Sequence, residues 1–307
     1  MDIKQKASLF AASSALVLAG SKFAAGLVSG SMAVVSSGLD SLIDVFMSIM
    51  NFVAIRKAAE PADDSHEYGH TKAEDVAGLI QSLVIVCSGS IIIYRAVVEF
   101  IEHKTIAYSV FDFSTMAFSL AFTVVISVVL VRIAKQTGSN ALKADALHYT
   151  SDLYSNSGAI LAILLTYFTG IIFFDLAFAI VVGCIIIISA VKIFRSSLAG
   201  IMDASIPRSI EAEIEGHINS MPFPTVGFHK LRTRYSGSKK YIDFHLLTCR
   251  ILHIDEAHEI ASRLEKEITG KLGLAEVMVH IEPCRRECDL TEKTCSMVRV
   301  SAGTPDP

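Results

Sequence analysis

The chain has 307 residues, of which 52% are hydrophobic, and its formal net charge at pH 7 is −4. This balance gives no sign of nucleic-acid binding, which requires clustered basic residues. The mean hydropathy is +0.50, and the apolar residues are concentrated in the first two thirds of the chain. The composition therefore predicts a membrane-embedded part that is followed by a more polar part.

Six apolar stretches in the first two thirds are long enough to cross a bilayer, which requires about 20 residues. The first stretch follows Lys4 and Lys6, but it is longer than the core of a signal peptide and no convincing cleavage site follows it. We therefore expect it to be retained as a helix. The six predicted transmembrane helices cover residues 7–29, 33–55, 76–101, 110–134, 143–168 and 172–195.

Basic residues are unevenly distributed among the predicted connections. They precede the first helix and follow the second, fourth and sixth, whereas the other connections carry a single lysine, Lys104. Because basic connections stay in the cytoplasm, this pattern places both termini there. We expect a multi-pass protein of the inner (plasma) membrane, surrounded by membrane lipid.

The composition changes near residue 200, where the apolar runs become shorter and charges more frequent. Periodicity predicts a helix over 208–220, strands over 226–235 and 240–250, a helix over 255–272 and a strand over 275–282. This α-β-β-α-β order predicts a small α+β domain of ferredoxin-like or metallochaperone-like type, with a mixed sheet. We predict three parts: a six-helix transmembrane bundle over 1–204, a cytoplasmic domain over 205–283, and a disordered tail over 284–307.

Two four-residue spacings within apolar stretches carry the strongest functional signal. Asp40 and Asp44 lie in the second predicted helix, and His148 and Asp152 lie in the fifth. Residues four apart share one face of a helix, so two packed helices would bring three carboxylates and one imidazole together. Such a set suits Zn²⁺ or a similar divalent metal. Ionisable residues at membrane depth usually mark an ion pathway, although a structural polar cluster is the alternative.

Two further groups of residues have the composition of metal sites. One group lies in the connection after the second helix and comprises Asp63, His66 and His70. The other lies in the cytoplasmic domain and comprises His229, His245, His258, His280 and Glu282. Cys284, Cys288 and Cys295 follow the last strand, but their spacing matches no standard zinc motif, and their binding of metal stays open.

These motifs together resemble the cation diffusion facilitator family, and most closely its bacterial branch of zinc, cadmium and ferrous-iron exporters. The resemblance extends from the first helix to about residue 283. It rests on Asp40-x₃-Asp44, on His148-x₃-Asp152 within Ala-Asp-Ala-Leu-His-Tyr, on His229-Lys-Leu-Arg-Thr-Arg and on the late His280.

The resemblance implies a homodimer that exchanges divalent metal ions for protons. The transport site would then comprise Asp40, Asp44, His148 and Asp152. Asp63, His66 and His70 would form a loop site, and the five cytoplasmic residues would form a binuclear regulatory site. Zn²⁺ is the expected metal, both transported and regulatory, with Cd²⁺ and Fe²⁺ as alternatives.

Three other functions compete with this interpretation. Buried acidic residues can line an ion channel, and a metal site in a membrane could belong to a metal-dependent hydrolase. A metal-sensing receptor would use the cytoplasmic domain without transport. Four protein ligands leave no open position for water, which argues against the hydrolase, so we expect no enzyme and no catalytic residues.

Overall fold

The computed structural model describes residues 1–29, 32–102, 110–169 and 173–284. The chain divides into two compact units, Met1–Ile201 and Met202–Pro307. The first unit consists of long helices, and each predicted apolar stretch falls on one of them. They are α1 (Ile3–Ser29), α2 (Met32–Ala58), α3 (Ala73–Glu102), α4 (Val110–Thr137), α5 (Asn140–Thr169) and α6 (Phe173–Ile201).

Within the described residues, four of these helices, α1, α3, α4 and α6, are long and apolar enough to cross a membrane. The bundle also exposes large apolar side chains on its outside. Tyr94, Val128 and Ile188 on α3, α4 and α6 are between 57% and 69% exposed. On α2, Phe46 is 67% exposed and Val53 is 58% exposed. Hydrocarbon rather than water is the suitable surrounding for such a surface.

The helices α3 and α6 approach each other closely along much of their length. A Cβ atom added at Gly183 would lie 2.5 Å from the Ile93 side chain, and one added at Gly200 would overlap the Asp75 carboxylate. Small residues permit such close contact between helices in a membrane. The other close pairs include α1–α2, α4–α5, α5–α6 and α3–α5, and α2 also contacts α5. The α2–α5 contact is the one that positions the candidate transport site.

The second unit is a three-stranded mixed sheet covered by helices. Its elements are α7 (Arg208–Asn219), β1 (Thr225–Ser236), β2 (Lys239–Thr248), α8 (Ile254–Leu272) and β3 (Ala275–Pro283). The strand β2 is central, antiparallel to β1 and parallel to β3. This agrees with the predicted order and sheet type.

Side-chain alternation on β2 separates a buried face from a polar face. Ile242, Phe244 and Leu246 are at most 1% exposed and pack against Leu264 and other residues of α8. The intervening residues point to the opposite face, because successive side chains of a strand alternate. That opposite face carries His245, so the apolar core of the domain sets the orientation of the candidate site on the sheet.

Candidate metal centres

The first candidate centre lies between α2 and α5. Asp44, His148 and Asp152 each offer a ligand atom, and these atoms lie within 4.8 Å of one another. His148 Nε2 lies 2.9 Å from Asp44 Oδ1 and 4.0 Å from Asp152 Oδ2. The four-residue spacing on α5 brings its two ligands to one face, and the contact with α2 brings the third. The group is partly buried, which suits ligands that must exchange a metal ion with solvent.

Asp40, the fourth predicted ligand, lies on α2 four residues before Asp44, but its side chain lies outside the described residues. A lysine that the sequence analysis did not assign lies close by. Lys22 Nζ on α1 donates a 2.8 Å hydrogen bond to Ser41 Oγ, and its charge acts on Asp152. A lone lysine within an apolar stretch is the sequence signal that could have indicated it.

A buried polar cluster also lies one helical turn away from this centre, and we name it the inner polar cluster. It comprises Ser48, Asn51, Gln81, Asp145 and Tyr149, and each of these residues is at most 2% exposed. Gln81 Nε2 donates to Asp145 Oδ1 at 3.3 Å, and Asn51 Nδ2 donates to Gln81 Oε1 at 2.5 Å. The hydroxyl groups of Ser48 and Tyr149 lie 2.9 Å apart. The cluster therefore links α2, α3 and α5.

The second candidate centre lies in the connection between α2 and α3. Asp63 Oδ2 lies 3.2 Å from His70 Nε2, and Asp63 Oδ1 lies 3.4 Å from His66 Nδ1. The Ser65 hydroxyl and then the His66 backbone N–H donate to Asp63 and lower its pKa from 3.8 to about 2. Asp63 is therefore ionised at neutral pH and available as a ligand. The three predicted residues of this loop are thus close together.

The third candidate centre lies on the polar face of the sheet. His229 pairs with His245 across the antiparallel strands, and His245 pairs with His280 across the parallel strands. The three imidazoles therefore form one row across the sheet, with ring centroids 5.1 Å and 4.6 Å apart. We name it the histidine row. Adjacent strands lie about 4.8 Å apart, which fixes this spacing.

Glu282 connects the histidine row. Its Oε1 lies 2.6 Å from His245 Nδ1 and its Oε2 lies 3.0 Å from His229 Nε2, whereas His280 Nε2 is 3.8 Å from Oε1. The hydrogen bond from His245 is the main cause that lowers the pKa of Glu282, followed by the one from His229. One carboxylate and several imidazoles are a donor set that fits Zn²⁺, so the residues present suit a resident zinc ion.

The remaining predicted residues of the second unit are His258 and the three cysteines that follow β3. His258 lies on the exposed face of α8 beside Ser262, and its ring is not among the group of His229, His245 and Glu282 that could share one ion within the described residues. Cys284 is a buried free thiol at the end of β3, where its N–H donates to Thr248 O. Cys288 and Cys295, with the rest of the predicted tail, lie outside the described residues.

Comparison with known proteins agrees with this architecture. Residues 8–202 match the family model of the cation efflux transmembrane domain, and residues 206–284 match the model of the cation efflux protein cytoplasmic domain. The chain therefore belongs to the cation diffusion facilitator, or cation efflux, family. It is a multi-pass membrane protein of a family of transporters that export divalent cations. This confirms the predicted family and the predicted combination of a helical membrane domain with a small α+β domain.

Relatives match over nearly the whole chain. The cation-efflux pump FieF of Pectobacterium atrosepticum is 33% identical over 277 residues, covering 90% of this chain and 92% of that protein. FieF of Shewanella oneidensis is 31% identical over 281 residues, covering 92% of this chain and 94% of that protein. A solved structure of CzrB, 22% identical, covers 26% of this chain and 98% of that chain with a TM-score of 0.25.

Proposed function

We propose that this protein exports Zn²⁺ from the cytoplasm in exchange for protons, with Cd²⁺ and Fe²⁺ as alternative cargo. The observation that carries the proposal is the convergence of Asp44, His148 and Asp152 within 4.8 Å between two helices of the bundle. Asp40, one turn before Asp44, is the proposed fourth ligand. Two or three carboxylates with one imidazole bind divalent first-row metals, and the imidazole favours Zn²⁺, Cd²⁺ and Fe²⁺ over harder cations such as Mn²⁺.

The same ligands provide the coupling to protons. A ligand must lose its proton before it coordinates a metal ion, so metal and protons compete for the site. At the near-neutral cytoplasmic side, metal binding releases protons. On the outer side, reprotonation of His148 and a carboxylate releases the metal. Alternate exposure of the site to the two sides then gives antiport.

The proposal includes a topology and an assembly. All six helices cross the inner membrane, both termini are cytoplasmic, and the cytoplasmic domains of two copies form a homodimer. The apolar side chains that α2 exposes support the crossing of a helix that also carries site residues. The histidine row and the loop centre bind metal away from the transport path, where bound metal stabilises the active dimer.

Flux measurements in proteoliposomes test this function. The purified protein is reconstituted with a zinc indicator inside, and an outward proton gradient is imposed. We expect zinc uptake that requires the gradient, acidifies the outside medium and competes with Cd²⁺ and Fe²⁺. Zinc flux without proton movement would indicate a channel instead, and zinc binding without any flux would indicate a receptor.

The regulatory role of the histidine row gives a separate prediction for His245→Ala. Wild-type protein in detergent should melt at a higher temperature with zinc, because metal that binds only the folded state adds about 3–4 kcal/mol at 100–1,000 times Kd. His245→Ala removes the central imidazole of the row, so most of this zinc-dependent shift of the cytoplasmic unit should disappear while zinc flux persists. Differential scanning calorimetry with and without zinc measures the shift.

The matched control is His217→Ala. His217 lies in the same unit and contacts Glu267 at 2.9 Å, outside the histidine row. The control should keep the zinc-dependent shift. If His245→Ala keeps it as well, the histidine row does not hold the stabilising metal.

A further inference from the structure

Asp145 is the one member of the inner polar cluster that can carry a charge at neutral pH, and none of the three candidate centres uses it. It is fully buried, at 0% exposure. No lysine or arginine of the described ranges forms an ion pair with it. An ionised carboxylate buried without a partner is strongly unfavourable. The structure therefore has to supply either a neutralising ligand or a proton.

The two oxygens of this carboxyl group have opposite surroundings. Oδ1 accepts from Gln81 Nε2 at 3.3 Å and lies 3.5 Å from the Ser48 hydroxyl, and the Asn51 amide is also close to the group. Oδ2 is buried and has no hydrogen-bond partner among the residues that the structure describes. The amide oxygen of Asn51, an acceptor, is buried and unpartnered in the same cluster.

The difference between Oδ1, which has donors, and Oδ2, which has none among the described residues, indicates a proton on Oδ2. Asp145 Oδ2 and the Asn51 amide oxygen are both acceptors, and a proton on Oδ2 would turn that oxygen into a donor. Donors at Oδ1 also make the ionised form accessible, because hydrogen bonds to a carboxylate stabilise its charge. The protonated form keeps Oδ1 as a carbonyl acceptor for the same donors, whereas the ionised form would also need a donor at Oδ2.

We propose that the Asp145 carboxyl is a proton-binding site separate from the metal ligands. It holds a proton on Oδ2 when the transport site is empty, and it releases that proton to the solvent when a divalent cation binds and its charge offsets that of the carboxylate. This inference rests on the proposed exchange of metal for protons. Asp145 lies three residues before His148 on α5, and its partner Ser48 lies four residues after Asp44 on α2. Both spacings put the group one helical turn from the metal ligands, within range of the cation's charge.

Asp145 is the proton donor of this region that is not itself a proposed metal ligand. On α5 the charge of the proposed ligand His148 acts on Asp145, and the charges of Asp44 and Asp152 act on Tyr149 of the same cluster. The helix α3 presents the neutral Gln81, and α1 presents the backbone carbonyl of Ala11 to Tyr149 at 3.5 Å. A tyrosine hydroxyl is protonated across the physiological range.

A double-mutant cycle on the full-length protein tests the proposal. Protons released per zinc ion bound are counted by calorimetry in two buffers with different heats of ionisation. Wild type should release more than Asp145→Asn, by a fraction of a proton up to one. Asp44→Ala and the double variant Asp44→Ala with Asp145→Asn should release equal numbers, because the transport site is empty in both. Zinc that binds at the loop and cytoplasmic centres releases the same number of protons in both members of each comparison, so its contribution cancels.

Infrared difference spectra provide a second measurement. Zinc-free wild type should show the C=O band of a protonated buried carboxyl at neutral pH, zinc should remove it, and Asp145→Asn should lack it. Absence of the band, its persistence with zinc, or equal proton release by wild type and Asp145→Asn would each overturn the proposal. Asp145→Asn keeps the shape of the neutral acid and is expected to fold.

If Asp145→Asn does not fold, proton release by Gln81→Met tests the proposal instead. It removes a donor to Oδ1, so the carboxyl should keep its proton, and proton release on zinc binding should fall below that of wild type. Wild-type release from Gln81→Met would overturn the proposal. Zinc flux through Asp44→Ala at the wild-type rate would instead contradict the proposed transport site, so the two failures are distinguishable.

Discussion

Asp44→Ala is expected to reduce zinc flux by on the order of 100-fold or more while the protein remains folded. Even residues that only orient a metal ligand change metal affinity by 10–100-fold, so loss of a ligand should have at least that effect. Asp44 Oδ1 lies 2.9 Å from His148 Nε2, so the substitution removes both a coordinating atom and a negative charge at the centre of the group. Stopped-flow zinc uptake into proteoliposomes measures the effect, and size-exclusion chromatography checks the assembly.

The control for this variant is Asp64→Ala. Asp64 is an exposed acid next to Asp63, and it does not belong to any of the three candidate centres. Its loss should leave zinc flux within about twofold of wild type, because exposed charges interact weakly with distant sites. Equal flux through Asp44→Ala and Asp64→Ala would show that the metal passes elsewhere.

His148→Asp is expected to change which metal is transported. A carboxylate in place of the imidazole makes every ligand of the centre an oxygen, and such a set favours harder cations. The ratio of Mn²⁺ flux to Zn²⁺ flux should rise by about tenfold or more, equivalent to about 1.4 kcal/mol in relative affinity. Competition between the two ions in the same vesicles measures this ratio.

The same variant should also change the pH dependence of flux. Imidazole is the side chain whose ordinary pKa of about 6.5 lies closest to the pH on either side of the membrane, and carboxylates ordinarily titrate near pH 4. Flux by His148→Asp should therefore vary less between pH 6 and 8 than wild-type flux. His66→Asp, the same substitution at the loop centre, serves as the control. An unchanged metal ranking with an unchanged pH profile would contradict the role of His148 at the site.

Much of this architecture could be predicted because the relevant signals are local in sequence. Long apolar runs indicate helices, and the spacing of His148 and Asp152 indicates a shared helix face. Strand alternation over 226–235 and 240–250 indicates the hairpin. The alignment of the histidine row was harder to predict from the sequence. The pairing of His245 with His280 depends on the register between the parallel strands β2 and β3, which are separated in the chain by α8.

His258 and Asp145 show two different limits of the sequence. The buried residues Ala257, Ile260, Ala261 and Leu264 define one face of α8, and His258 lies outside it, so helical periodicity could have separated His258 from the site. Asp145 lies within the quoted motif, but its partners Ser48 and Gln81 are 97 and 64 residues away on other helices. No local pattern indicates such a cluster, since it depends on how three helices pack.

The close contact between α3 and α6 has a consequence for how such a transporter can diversify. Gly183 and Gly200 admit no larger side chain unless Ile93 or the buried Asp75 moves, and Asp75 is held by a 2.7 Å hydrogen bond from Asn140 Nδ2. Substitutions at this contact should therefore be eliminated in a mutational library selected for zinc resistance. Variants with altered ion preference should instead accumulate on α2 and α5, where side chains can change without forcing two backbones apart.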